Sequence, residues 1–404
     1  MSAHRRYLKI GVDIVAWSSV LLAATYRSHT PVVFGRYSWG YVVLLGLLVG
    51  IALTLSLARS AWYQLLYKSR AGLVISGLSF ILSLGALELV VRLVDPFGIS
   101  YYAVLGEYTR DKVADDQLVF RHKPSWETSY GDVLVTYNER GLRDRPILPK
   151  AAEEYRILAL GDSVTFGWGV DQDKIFPVRL ESLLQRHLHR PVRVINSGVA
   201  GYNTVQEVTY FKQEGIALQP DLVMLTYVQN DIEELNPLWD PWTRSSLRGK
   251  SVAEMINIMV NKLWLYRLVG HVYNYVLPPK SATESVPTAL QEETGWRQSM
   301  AALQEMADLC RAHKIPLVVF FERMEPGHKV LNLLFEDVVR HARGSPVYDM
   351  ASWFEGVAPS LVENSKIDRH HNAEGHRVMA EHMADDIVRY LAVTSPTLIL
   401  SSHK

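Results

Sequence analysis

The chain has 404 residues, 42 of them basic and 42 acidic, for a formal net charge of zero. That balance excludes a strongly basic nucleic-acid binder, and 48% hydrophobic residues exclude a disordered chain. One cysteine, Cys310, excludes an internal disulfide framework and any multi-cysteine zinc or iron–sulfur site; it sits in a helical pattern and reads as a small core residue. A mean hydropathy of +0.02 is high for a soluble enzyme and points to a part of the chain that belongs in lipid.

The zero is a cancellation between two regions. Residues 1–94 hold nine basic and two acidic side chains, a net +7, which leaves −7 for the remainder. The basic region is also the apolar one. Residues 37–58 carry no charge, nor do residues 71–87, after which the run stays apolar to Val94 except for Glu88 and Arg92. About 20 apolar residues cross a bilayer, so spans are expected at 37–58 and 71–94. A third is expected at 7–26, where Lys9 and Asp13 lie near one end; a cleaved signal peptide is the competing reading of this segment. Glu88 and Arg92, four apart on one helical face, are expected to pair. The loop 59–70 has three basic residues and no acidic one. The positive-inside rule therefore puts it in the cytoplasm and everything after residue 94 on the other side: a multi-pass cell-membrane protein with an extracytoplasmic catalytic domain.

Residues 95–154 mix turn signals such as Asp95-Pro96 and Lys123-Pro124 with short alternating runs such as 133–137. They are too aromatic for a free linker and read as a packed connector.

From residue 155 the pattern becomes regular. Apolar runs at 156–160, 192–195, 222–227, 316–321 and 347–349 alternate with helical patterns at 176–188, 204–215, 295–313, 329–342 and 373–391. Fully apolar strands separated by helices predict an α/β fold, a parallel sheet covered on both faces. Ligands bind such sheets beyond the carboxyl ends of the strands. The residues there are Gly161-Asp162-Ser163, then Asn196-Ser197-Gly198-Val199-Ala200-Gly201, then Gln229-Asn230-Asp231, with Asp368-Arg369-His370-His371-Asn372 before the last helix.

Taken as an ordered set, these turns resemble the blocks of the SGNH (GDSL-type) serine hydrolase superfamily, over roughly residues 155–391. The resemblance implies a flavodoxin-like three-layer sandwich and an esterase acting through Ser163 as nucleophile. It implies oxyanion-hole donors at Ser163, Gly201 and Asn230, with Gly198 the weaker alternative to Gly201. The glycine usual two residues before the family asparagine is Val228 here. In the last block, counting back from Gly375 selects His370 as the base with Asp368 as its partner; counting forward from the acid selects His371, and His370 is preferred.

The chemistry explains the residue types. A serine hydroxyl needs a base to take its proton, and an imidazole titrating near neutrality suits the task. The oxyanion of the tetrahedral intermediate needs donors placed in advance. His370, His371 and His376 lack the accompanying carboxylates or thiols of a metal site, so neither metal nor cofactor is expected. Asp231 reads as a structural hydrogen-bond partner.

Residues 232–294 interrupt the minimal domain with an aromatic-rich insertion, read either as a lid beside the site or as a helical excursion with an amphipathic helix at 255–277. Residues 392–404 form a tail. The expected activity is removal of O-acyl groups, acetyl first, from cell-envelope or exported glycans. The alternatives are an O-acyltransferase on the same glycans, fed by a membrane acyl-transfer partner, a lipid esterase, and a non-catalytic glycan-binding or assembly protein. The expected partners are an acylated glycan or lipid and the bilayer, without nucleic acid.

Overall fold

The computed structural model describes residues 16–18, 20–21, 39–57, 70–95, 98–233, 263–271, 294–323, 329–365 and 367–399. The chain divides into two units, residues 1–89 and 90–404.

Helix α1 (Trp39–Leu57) is built from 19 residues without a charge. Its apolar stretch Leu45–Thr54 is short for a span. Helix α2 (Arg70–Val94) contains, over Gly77–Val94, 18 residues long and apolar enough to cross a membrane, the one such segment among the described residues. The loop 59–69 and most of the expected span 7–26 lie outside the described residues.

In the second unit, helix α3 (Tyr101–Arg110) leads into two small antiparallel hairpins. Strand β1 (Lys112–Asp115) pairs with β2 (Val119–His122), and β3 (Glu127–Tyr130) with β4 (Val133–Thr136). The five strands that follow are β5 (Tyr155–Gly161), β6 (Val192–Asn196), β7 (Leu222–Tyr227), β8 (Leu317–Phe321) and β9 (Val347–Asp349). They form one parallel sheet in the order β6-β5-β7-β8-β9. This is the doubly wound order in which chain direction across the sheet reverses between β5 and β7, and it opens a crevice at their carboxyl ends.

Every residue of β5, β7 and β8 is buried, because both faces are covered. Their side chains alternate between two cores. Leu158, Leu160, Val223, Leu225, Val319 and Phe321 point to one side. There they meet Val208 of α6 (Thr204–Tyr210), Trp296, Met300 and Leu303 of α8 (Thr294–Ala312), and Leu334 and Val338 of α9 (Lys329–His341). Ile157, Ala159, Leu222, Met224, Val318 and Phe320 point to the other, against Leu180 and Leu184 of α5 (Phe176–Leu184) and Met379, Met383 and Ile387 of α10 (Ala373–Thr394). Cys310 is buried in the first core, and burial pushes its thiol up to about 12.

Residues 95–154 are folded into this unit. Tyr108, Tyr130, Val135 and Tyr137 make a third cluster with Phe166, Trp168 and Ala200 of the turns that follow β5 and β6. Of the insertion, helix α7 (Trp264–His271) is described, and the Arg92 guanidinium lies over the Trp264 ring at 5.7 Å. The rest of the expected amphipathic helix at 255–277 and of the aromatic insertion lies outside the described residues.

Candidate active site

The carboxyl end of β5 turns abruptly into α4 (Ser163–Phe166), with Asp162 as its cap: Asp162 Oδ1 accepts the Val164 N–H at 2.9 Å. Capping fixes Ser163 as the first helical residue, at the reversal point of the sheet. The helix closes on Gly167, and its carbonyls are gathered by Arg143, reaching in from the segment before β5. Arg143 Nη1 donates to Phe166 O at 3.1 Å and Gly167 O at 2.6 Å, and Nη2 to Val170 O at 2.5 Å. Burial lowers this guanidinium to about 10.

The segment before α10 brings the other two groups. His370 Nε2 is 2.8 Å from Ser163 Oγ, and His370 Nδ1 is 2.5 Å from Asp368 Oδ1. A neutral imidazole with its proton on Nδ1 donates to Asp368 and leaves Nε2 as acceptor for the serine hydroxyl. Burial disfavours the imidazolium. The hydrogen bond and charge of Asp368, with smaller contributions from Asp162 and Glu322, outweigh it and raise His370 above the ordinary histidine value. Asp368 is held in turn by Asn364, whose Nδ2 lies 3.1 Å from both Asp368 Oδ2 and Trp168 O. The Trp168 ring packs beside the imidazole, centroids 6.1 Å apart.

His371 goes elsewhere. It is buried, its Nε2 is 3.3 Å from Glu322 Oε1, and its ring stacks on Phe354. A β-carbon on Gly375 would lie 2.6 Å from Val362 O and 2.8 Å from His371 Cβ, so any larger residue there would displace His371.

The remaining candidates lie on the turns after β6 and β7. Asn230 follows β7, and its Nδ2 donates to Asp162 Oδ2 at 3.0 Å; Ser163 Oγ is 3.1 Å from the same oxygen. The turn after β6 presses directly on α4: a β-carbon on Gly198 would lie 2.2 Å from the Phe166 nitrogen, so only glycine allows the approach. Gly201 has φ +87° in a tight turn closed by Tyr202 N–H donating to Val199 O at 3.0 Å. Asp231 accepts the Val228 N–H at 2.6 Å. Behind it Glu207 is fully buried. Burial, with repulsion from Asp162 and between Glu207 and Asp231, raises both carboxyls well above the usual range.

Sequence reasoning missed Asp162 as the common partner of Ser163 and Asn230, and also Trp168, Asn364, Glu322 and Arg143. Only Trp168 left a signal, an aromatic residue set between two glycines. No group of three or more metal-ligating side chains occurs among the described residues.

This arrangement is that of an ester hydrolase. The model of the GDSL-like lipase/acylhydrolase family matches residues 159–378, more than half of the chain, and the chain belongs to that family. No curated protein matches it. Among solved structures it is similar to the psychrotrophic esterase EstA of a Pseudoalteromonas species, at 13% identity and a TM-score of 0.37 over 59% of this chain and 98% of that one. It is also similar to a catalytic mutant of Axe2, an acetylxylan esterase from Geobacillus stearothermophilus, at 15% identity and a TM-score of 0.37 over 59% and 96%. A two-domain esterase active on acetylated mannans matches at 14% identity and a TM-score of 0.36, over 59% of this chain and 51% of that one.

Proposed function

We propose that the protein is a membrane-anchored serine esterase that removes O-acyl groups, acetyl first, from cell-envelope or exported glycans outside the cytoplasm. The observation that carries the catalytic part is the relay of 2.8 and 2.5 Å from Ser163 through His370 to Asp368. Ser163 Oγ attacks the ester carbonyl while His370 Nε2 takes its proton. The imidazolium is stabilised by Asp368 and then protonates the departing sugar oxygen, leaving an acyl-serine. Water attacks the acyl-serine with His370 again as base, releasing the carboxylic acid and restoring the hydroxyl. The oxyanion is received by the Ser163 N–H, the Gly201 N–H and the Asn230 amide, whose second N–H is available beyond its bond to Asp162.

The location rests on the apolar length of Gly77–Val94 and on the basic loop before it. An active site held there meets glycan esters more than cytoplasmic metabolites. The test is fluorophosphonate labelling of the full chain in detergent, followed by acetate release from acetylated polysaccharides compared with short aryl esters. Labelling that persists in Ser163→Ala refutes the nucleophile. Turnover of aryl esters without release from any acetylated glycan refutes the substrate class. A reporter fused after Lys404 that is active only in the cytoplasm refutes the orientation.

A further inference from the structure

The peptide between Ala200 and Gly201 is the central peptide of the turn Val199–Tyr202. With φ of +87° at Gly201, and no positive φ at Ala200, the turn is of type II. Types I and II differ by a half-rotation of this one peptide, so turn type decides which way its C=O and its N–H point. In a trans peptide the two point in opposite directions. Whatever grips the Ala200 carbonyl therefore aims the Gly201 N–H.

Two side chains from before the sheet grip it. Tyr108 Oη donates to Ala200 O at 3.0 Å, and Lys112 Nζ donates to the same oxygen at 3.4 Å. Both are buried, and Lys112 Nζ lies over the rings of Tyr108 and Phe120 at 4.5 and 3.6 Å. Tyr108 is itself fixed by His122, whose Nε2 is 2.7 Å from the phenol oxygen. On the opposite side of the peptide, the Gly201 N–H meets no acceptor among the described residues.

We infer that Tyr108 and Lys112 are positioning residues of the oxyanion hole: by holding the Ala200 carbonyl they lock the turn in type II and present the Gly201 N–H to the reacting carbonyl oxygen. The inference rests on the serine-esterase reading above and extends it to residues that touch neither substrate nor triad. Donation from the Tyr108 phenol and from Lys112 Nζ also polarises the peptide, which strengthens its N–H as a donor. The segment before the sheet thereby takes part in catalysis, through one backbone peptide.

The test compares wild type, Tyr108→Phe, Lys112→Met and the double variant, as full chains in detergent, on p-nitrophenyl acetate. An oxyanion donor is worth roughly 10²–10³ in kcat, so a mis-aimed one is expected to cost about 10- to 100-fold per variant. KM should stay within about twofold, since the bond strengthens only in the transition state. The phosphonylation rate should fall in proportion to kcat, because the phosphonate oxygen uses the same hole. The double variant should saturate near the value of one lost donor. Phe120→Leu, which trims packing around Lys112 without touching Ala200 O, should keep kcat within about twofold and control for loosening of the cluster. The inference is overturned if Tyr108→Phe and Lys112→Met keep wild-type kcat, or if Phe120→Leu loses as much kcat as they do, which would make loosening of the cluster the cause. Wild-type protein with no Ser163-dependent labelling brings down the esterase reading and this inference with it; an active wild type with indifferent variants brings down this inference alone.

Discussion

Replacing Asp368 with asparagine keeps the shape of the side chain and removes its charge. In the proposed mechanism the carboxylate matters most once His370 has taken the serine proton. Nδ1 and Oδ1 are 2.5 Å apart, and both side chains are largely buried, at 20% and 10% exposure. With delocalised charge centres about 4 Å apart and an effective dielectric near 20, the attraction is ~4 kcal/mol. Lost only in the transition state, that is about 10³-fold in kcat with KM little changed. The pH profile carries a second signature. Burial pulls the His370 value down and Asp368 pulls it up, with a net rise. The base works when neutral, so in wild type the acid limb of kcat/KM lies above the ordinary histidine value. In Asp368→Asn burial gains the upper hand, and the limb moves to lower pH as the plateau drops. The assay is aryl-ester hydrolysis between pH 4 and 9 with active-site titration by phosphonate. A loss in kcat under tenfold, or an acid limb that moves to higher pH, refutes the assigned role.

The two histidines separate cleanly: His370→Ala is expected to lower kcat by roughly 10⁴-fold or more. His371→Ala should keep kcat within about tenfold and mainly lower the melting temperature, because His371 packs on Phe354 and Glu322; the reverse pattern would assign the base to His371. Arg143→Met leaves three carbonyl contacts of the nucleophile turn without their donor. It should cost about 3 kcal/mol in urea unfolding, and a cost below 1 kcal/mol would show that the turn stands without it. Glu207→Gln tests the buried carboxyls. Because the folded-state value of Glu207 is raised, the folded protein holds a proton that the unfolded chain releases, and stability present below the unfolded-state value is lost as pH rises from there towards the raised folded-state value. The variant should therefore gain on the order of 1–3 kcal/mol at pH 8 and little at pH 4; an equal gain at both would refute the electrostatic cause. Gly198→Ala should fail to fold or lose activity outright, as its β-carbon meets the Phe166 backbone at 2.2 Å; a stable, active variant would show that the turn can retreat.

Much of this was legible in the chain. The apolar runs at 156–160, 222–227 and 316–321 become central strands because a strand covered on both faces has no polar side, and that leaves an unbroken apolar run. Ser163, Asn230 and Asp368 stand at strand ends or before a helix, where a doubly wound sheet collects its ligands. For the two adjacent histidines both counting rules fit the same letters, and the downstream glycine favoured His370. The contacts themselves are long-range: His370 meets Ser163 207 positions away, while His371 meets Glu322 49 positions away. Arg143, Tyr108 and Lys112 carry no motif and lie before the recognisable domain. They act on backbone carbonyls, and a carbonyl places no demand on the identity of the residue that bears it.

The sequence by itself determined the parallel sheet, the order of the chemical turns along it and a hydrophobic N-terminal region, since each follows from local periodicity and composition. Tertiary structure decided which histidine reaches the serine, that Asp162 joins Ser163 to Asn230, and that the segment before the sheet clasps both the nucleophile turn and the Ala200 carbonyl. Those are distances between residues far apart in the chain, and only packing brings them together.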